Sequence, residues 1–274
     1  MSILDNTGSM AVFCDFENVA LGVKDANYAK FDIQLVLEKL LIKGTIIVKK
    51  AYCDWSRYRD FKAPMHEASF ELIDIPHVRQ SGKNSADIRM VVDALDLCYT
   101  KSHVRTFVMI SGDSDFSPLV SKLRENNKVV IGVGVKNSSS DLLIKNCDEF
   151  IFYDDLVRAK GDEQAKRSRQ RAPARKRAPT KKEQAEGDKE DLATEGITLV
   201  LGMVEELLAE RGGEDKVWGS MVKQALKRRQ PGFSESYYGF KSFNLLLEEA
   251  EQRKLLSLER DEKSGGYVIT SVAN

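Results

Sequence analysis

The chain has 274 residues, 42 Lys plus Arg against 42 Asp plus Glu, and a mean hydropathy of −0.36. Its apolar runs fall well short of the roughly 20 residues a membrane-spanning helix needs, no leader segment is visible, and Cys14, Cys53, Cys98 and Cys147 form no Cys-x-x-Cys pair. A membrane span, a disulfide-stapled secreted scaffold and a cysteine zinc site are thereby set aside; the expectation is a soluble cytoplasmic protein whose cysteines are buried apolar groups. The balanced charge hides its distribution. Residues 1–155 carry 19 basic and 22 acidic side chains, 156–182 carry 11 and 2, and 183–274 carry 12 and 18. A basic tether between two mildly acidic bodies suits a polyanionic partner, and a merely solvated linker is the plainer alternative.

In chain order, apolar runs at 10–14, 45–53, 72–78, 105–111, 128–135 and 149–153 alternate with amphipathic stretches at 32–43, 57–70, 86–100, 116–126 and 139–146. Runs that are apolar throughout, without alternation, predict strands buried on both faces of a parallel sheet. The β-α repeat predicts a doubly wound α/β domain over residues 10–156. Residues 157–191 lack apolar periodicity and read as a basic disordered linker. Beyond it, helices at about 195–211, 217–229 and 240–253 are followed by Leu255-Leu256-Ser257-Leu258, Gly265-Gly266 and Tyr267-Val268-Ile269-Thr270. Three helices and a hairpin predict a small winged helix-turn-helix over 192–274.

The chemistry gathers on aspartates. The first run ends in Asp15-Phe16-Glu17-Asn18 and the fourth in Ser111-Gly112-Asp113-Ser114-Asp115-Phe116. Open α/β sheets bind ligands outside the carboxyl ends of their strands where the order reverses, so neighbouring strands would bring Asp15 and Asp113 together. Asp87 opens a helix whose expected buried face is Ile88, Val91, Val92, Leu95 and Cys98, with Asp93 and Asp96 turned away. A helix starting at a strand's carboxyl end puts Asp87 on the same edge. Each aspartate has an ordinary alternative as a cap or first-turn acid; three on one edge favour a metal site. All-oxygen ligands favour Mg²⁺ or Mn²⁺, and such an ion assists attack on a phosphodiester. Asn18 and Ser111 would orient a water or a ligand, and Lys83 and Ser138-Ser139-Ser140 would hold phosphates.

These segments, together with Lys83-Asn84-Ser85-Ala86-Asp87 through Val92-Asp93-Ala94-Leu95 and Cys147-Asp148-Glu149-Phe150, resemble the motifs of the NYN domain, a PIN-like nuclease branch that includes LabA-like proteins. The resemblance implies a PIN-like fold and metal-dependent RNA cleavage by Asp15, Asp87, Asp113 and Asp115. Many members carry Lys-Gly-Val-Asp where this chain has Asn-Ser-Ala-Asp, and an acid is frequent at the position of Asp93. Val217-Trp218-Gly219-Ser220, Phe233-Ser234-Glu235 and Tyr238-Gly239-Phe240-Lys241-Ser242-Phe243 resemble the LOTUS (OST-HTH) domain, which implies RNA binding or docking of a helicase or other protein. From the residues themselves, Lys223, Lys227, Arg228, Arg229 and Lys241 lie near Tyr237, Tyr238 and Phe240, a basic and aromatic combination suited to single-stranded RNA. Trp218, Phe240, Phe243 and Leu245 to Leu247 are equally expected to build a core. Arg167, Arg169, Arg171, Arg175, Lys176 and Arg177 of the tether are further phosphate contacts.

The expected activity is thus a ribonuclease. The alternatives are an RNA-binding regulator or scaffold with an idle site, and a haloacid-dehalogenase-like phosphatase. The last would need aspartate where Glu17 stands, and no Gly-x-x-x-x-Gly-Lys-[Ser/Thr] loop supports ATP hydrolysis.

Overall fold

The computed structural model describes residues 8–76, 85–161, 183–210, 216–261 and 266–272, with side chains 183–189 left aside. The chain forms two compact units that divide between residues 163 and 164.

The first unit is built on six strands: β1 (Ser9–Asp15), β2 (Thr45–Cys53), β3 (Glu71–Asp74), β4 (Val104–Ile110), β5 (Val129–Gly134) and β6 (Glu149–Phe152). They pair in the order β3-β2-β1-β4-β5-β6, every pair parallel. Helices α1 (Phe16–Asp25), α2 (Ile33–Leu41), α3 (Arg59–Glu67), α4 (Ser85–Thr100), α5 (Ser117–Glu125) and α6 (Asp141–Asn146) connect them, and α7 runs over 153–161. Successive side chains of a strand point to opposite faces. Met10, Val12 and Cys14 therefore join one core with Val19, Val36 and Leu40, while Ala11 and Phe13 join another with Met90, Ala94 and Leu119. All these β1 residues are essentially solvent-free, which is why the run is apolar without alternation. Each large side chain so buried contributes about 1.5–3 kcal/mol.

Local chemistry sets the helix ends. Asp32 accepts from the Gln34 amide at 3.1 Å to start α2, and Pro118 stands in the first turn of α5, where a missing N–H costs nothing. Pro64 lies inside α3 and leaves the Asp60 carbonyl without its helical donor; Lys30 Nζ supplies one at 3.2 Å.

Four expectations need correction. Helix α1 was not anticipated, although Phe16, Val19, Gly22 and Val23 form its buried stripe. Strand β3 ends at Asp74, short of residue 78. Helix α4 packs through Met90, Ala94 and Cys98, leaving Ile88 62% and Val92 55% exposed, so its buried face is rotated from the expected one. Asp93 consequently does not face solvent: it accepts from Tyr52 Oη (2.9 Å), Lys50 Nζ (3.3 Å) and Arg89 Nε (3.0 Å). Finally, helix occupies 157–161 and resumes at 183 within the expected linker. Leu156 and Val157 pack against the core, which extends order past β6. Tether residues Arg167, Arg169, Arg171, Arg175, Lys176 and Arg177 lie outside the described residues, as does Lys83.

The second unit comprises α8 (Glu183–Glu210), β7 (Val217–Trp218), α9 (Gly219–Arg229), α10 (Phe243–Gln252), β8 (Leu256–Arg260) and β9 (Tyr267–Val272), with an antiparallel sheet ordered β7-β9-β8. This is the element order of a winged helix. Val200, Val204, Val222, Leu226, Phe243, Leu246, Leu247 and Ile269 form its core. Leu245 is 42% exposed and does not join them, whereas its amide donates to Ser242, the N-cap of α10. Among the described residues no helix is long and apolar enough to cross a membrane.

Candidate functional site

Strand order reverses between β1 and β4, and the two aspartate motifs emerge there side by side. Asp15 ends β1 and caps α1, accepting from the Asn18 amide at 3.4 Å. Asp113 caps the 3-10 turn Ser114–Phe116, accepting from the Asp115 amide at 3.0 Å. Capping is thus real at both aspartates, and each caps through its Oδ1.

Ser111 and Asn18 lock the two motifs together. The fully buried Ser111 hydroxyl donates to Asp15 Oδ2 at 3.0 Å and accepts from the Asp113 amide at 3.2 Å. Asn18 Oδ1 accepts from the Gly112 amide at 2.8 Å. Gly112 is required by close approach: a Cβ there would sit 2.5 Å from the Ser138 carbonyl oxygen, a contact that backbone cannot relieve cheaply. The Ser140 amide donates to Gly112 O and the Ser138 amide to Val135 O, so neither is available to a phosphate in the way the serine run suggested.

The acids repel one another. Burial, then Asp87, then Asp113 push the Asp15 carboxyl up to about 7, against the pull of the Ser111 and Asn18 hydrogen bonds. Burial, Asp113, Asp115 and Glu17 raise Asp87 as well. None of the groups that raise these two is a cation. Asp93 goes the other way: Tyr52, Lys50 and Arg89 outweigh its burial and hold its carboxyl below the usual range. It belongs to the tie between α4 and β2, separate from the acidic group. Two residues at the site escaped sequence reasoning. Glu17 faces the group from the first turn of α1, visible in the motif had that helix been expected, and Arg57 binds it at 3.0 Å from the loop after β2, where no sequence signal marked it.

As the side chains stand, no three carboxylate, imidazole or thiol groups among the described residues are close enough to hold one ion together. A buried carboxyl at Asp15 beside the half-buried Asp87 and Asp113 still fits a hard cation, since Mg²⁺ keeps several waters and takes one or two carboxylates plus substrate phosphates. The four cysteines are buried and unpaired, with Cys147 pushed up to about 12 by burial, as inert thiols are.

In the second unit, Lys223 pairs with Glu235 at 2.6 Å and Arg229 with Glu206 at 2.5 Å, whereas Arg228 and Lys241 are exposed. Tyr238 stacks on Phe233 inside the core and offers no face to a base. Trp218, Ser220, Lys223, Ser242, Phe243 and Tyr267 instead line a groove of about 490 Å³.

A doubly wound parallel sheet with clustered acids at its switch point defines the PIN-like class of α/β fold. The chain belongs to the NYN domain family, whose model matches residues 9–154. Similar proteins include the Meiosis regulator and mRNA stability factor 1 of Bos taurus and of Gallus gallus, each 24% identical over 155 residues, 57% of this chain. The chain covers only 9% of the length of those relatives. A solved structure of a protein of unknown function from Vibrio parahaemolyticus is 26% identical with a TM-score of 0.50, covering 57% of this chain and 98% of that one. The family brings a nuclease-like, RNA-related role.

Proposed function

We propose that the protein is a metal-dependent ribonuclease in which Asp15, Asp87, Asp113 and Asp115 hold Mg²⁺ or Mn²⁺ at the β1–β4 switch point. The observation that carries this reading is Asp15: a carboxyl 7% exposed, at the carboxyl edge of the sheet, and raised to about 7 by its burial first and by Asp87 and Asp113 after it. A structure gains nothing from such repulsion unless a cation relieves it. The bound ion would polarise the phosphoryl oxygen and lower the pKa of an attacking water. Ser111 fixes the Asp15 carboxylate and the Asp113 backbone in one frame, and Asn18 holds the intervening turn. Arg57, freed from Glu17, would take a substrate phosphate at the rim.

The second unit, read as a LOTUS-like domain, would present RNA through its Trp218–Tyr267 groove, with the exposed Arg228 and Lys241 and the basic tether tracking phosphates. The meiosis and mRNA-stability factors among the relatives favour RNA as the polyanion. That no three acids among the described residues stand close enough to hold one ion favours one competing reading, an RNA-binding regulator whose site is idle. Incubating labelled single-stranded and structured RNA with the protein and Mn²⁺ separates the two. Cleavage that is lost in EDTA, and reduced by on the order of 100-fold or more in Asp113→Asn, is the expected result, a ligand being worth at least as much as the 10–100-fold typical of its supporting shell. Binding without cleavage at any metal concentration would favour the regulator.

A further inference from the structure

Beside the acidic site lies a shallow, open groove of about 650 Å³. It opens at Ser114 and Asp115, next to Asp113. From there it runs along the first turns of α5 past Ser117 and Ser121, and its opposite wall is Leu142 and Asn146 of α6. With 1.5 Å of rise per residue, the stretch from Ser114 to Ser121 spans about 10 Å. Its chemistry differs from that of the site it adjoins. Among the described residues of the lining, Asp115 is the only charged one, and none is a cation that could hold a phosphate. Three serine hydroxyls, one carboxamide, the Pro118 ring and an aliphatic side chain remain, Leu142 being 57% exposed.

One of those hydroxyls is anomalous. Ser117 is 5% exposed, and its Oγ has no hydrogen-bond partner. Buried polar atoms are nearly always paired, and each exception asks for an explanation. A ligand in the groove would give this hydroxyl a partner through a change of rotamer.

We propose that this groove is the nucleoside subsite of the enzyme: it seats the base and ribose that flank the cleaved phosphodiester. The proposal rests on the nuclease reading above and deepens it. A nucleoside presents what the lining can meet, a flat face to lie against Leu142 and an edge of donors and acceptors. Asn146 is suited to that edge because a carboxamide offers both a donor and an acceptor, the pairing used on adenine. The ribose hydroxyls face Ser117 and Ser121. The missing cation fits equally well, since the phosphate stays with the acids and their ion. Selectivity at one nucleotide position therefore originates here, while affinity for the backbone comes from elsewhere.

The test uses the full chain and two variants, Ser121→Trp, which fills the groove from an exposed position, and Asn146→Leu, which removes the carboxamide. Thermal melting first confirms that both fold as the parent does. In EDTA, a short single-stranded RNA containing 4-thiouridine is photo-crosslinked and the adducts are mapped by mass spectrometry. The expected adducts fall within residues 114–146 of the parent and drop about 10-fold in Ser121→Trp. With Mn²⁺, a random-sequence RNA pool should show a base preference at a position adjoining the cut, and Asn146→Leu should lose it, a change of roughly 10-fold for one base contact. Adducts that map elsewhere, or cut-site preferences identical in parent and variants, would overturn the subsite. Groove adducts without any cleavage would uphold the groove as a nucleoside site and overturn the nuclease reading instead.

Discussion

At the scale of single residues, Asp15 has the clearest consequence. Its folded carboxyl lies near 7 against an ordinary 3.8, so the folded chain retains a proton that the unfolded chain has released. For a group raised in this sense, stability is highest at low pH and falls as pH rises from about 4 through about 7. The loss is up to about 4 kcal/mol if the whole shift counts. Melting of the metal-free protein should therefore decline between about pH 4 and about pH 7 beyond what other groups explain. Asp15→Asn should flatten that decline while abolishing any stabilisation by Mn²⁺. A slope that survives in Asp15→Asn would show that the buried Asp15 carboxyl is not its source.

At the scale of elements, α4 shows how one residue type serves two ends. Asp87 at its first turn enters the acidic group, whereas Asp93, less than two turns on, is neutralised by β2 and by Arg89. Removing Asp93 would leave the Tyr52 hydroxyl, on a side chain 1% exposed, without its acceptor. Asp93→Ala should cost about 1–3 kcal/mol in urea unfolding, the usual cost of a buried unpaired polar group. Cleavage per folded molecule should be unchanged. A variant of full stability but no activity would instead place Asp93 among the ion's ligands. The α4 face itself was misjudged because Ile88 and Val92 look as apolar as Met90 and Ala94. Periodicity alone admits either stripe, and the choice falls to the helix orientation that lets Asp87 reach Asp113 while Met90 meets the sheet.

At the scale of the whole molecule, all four aspartates precede residue 163, and the groove with Trp218 and Tyr267 follows it. If the second unit presents RNA, encounter at the acids becomes intramolecular, with an effective concentration set by the tether's length and stiffness. Severing the tether should then raise KM far more than it lowers kcat, since uniform binding is lost and the chemistry is untouched. Steady-state kinetics of the intact chain against the two halves mixed in trans measure this, and equal KM values would assign the second unit to protein docking. Replacing the basic residues of 166–182 by Gln should flatten the slope of log affinity against log salt by about 0.7 per lost phosphate contact on single strands. An unchanged slope would leave that run as a spacer.

By itself, the sequence determined the class of fold and the edge on which the acids meet. Unbroken apolar runs as short as 10–14 fit strands covered on both sides, and an aspartate directly after such a strand emerges at the carboxyl end of the sheet. Those are properties of short segments, and short segments are legible. Tertiary structure decided what depends on partners distant in sequence. Ser111 bonds to Asp15 across 96 positions, Asp93 is claimed by Tyr52 and Lys50, and Tyr238 is taken into the core by Phe233. Arg57 finds Glu17 only because β1 and β2 lie side by side. The physical reason is common to all of these. A polar or aromatic side chain has the same local signature whether it is caught by a buried partner or left for a ligand, and only packing determines which of the two it meets.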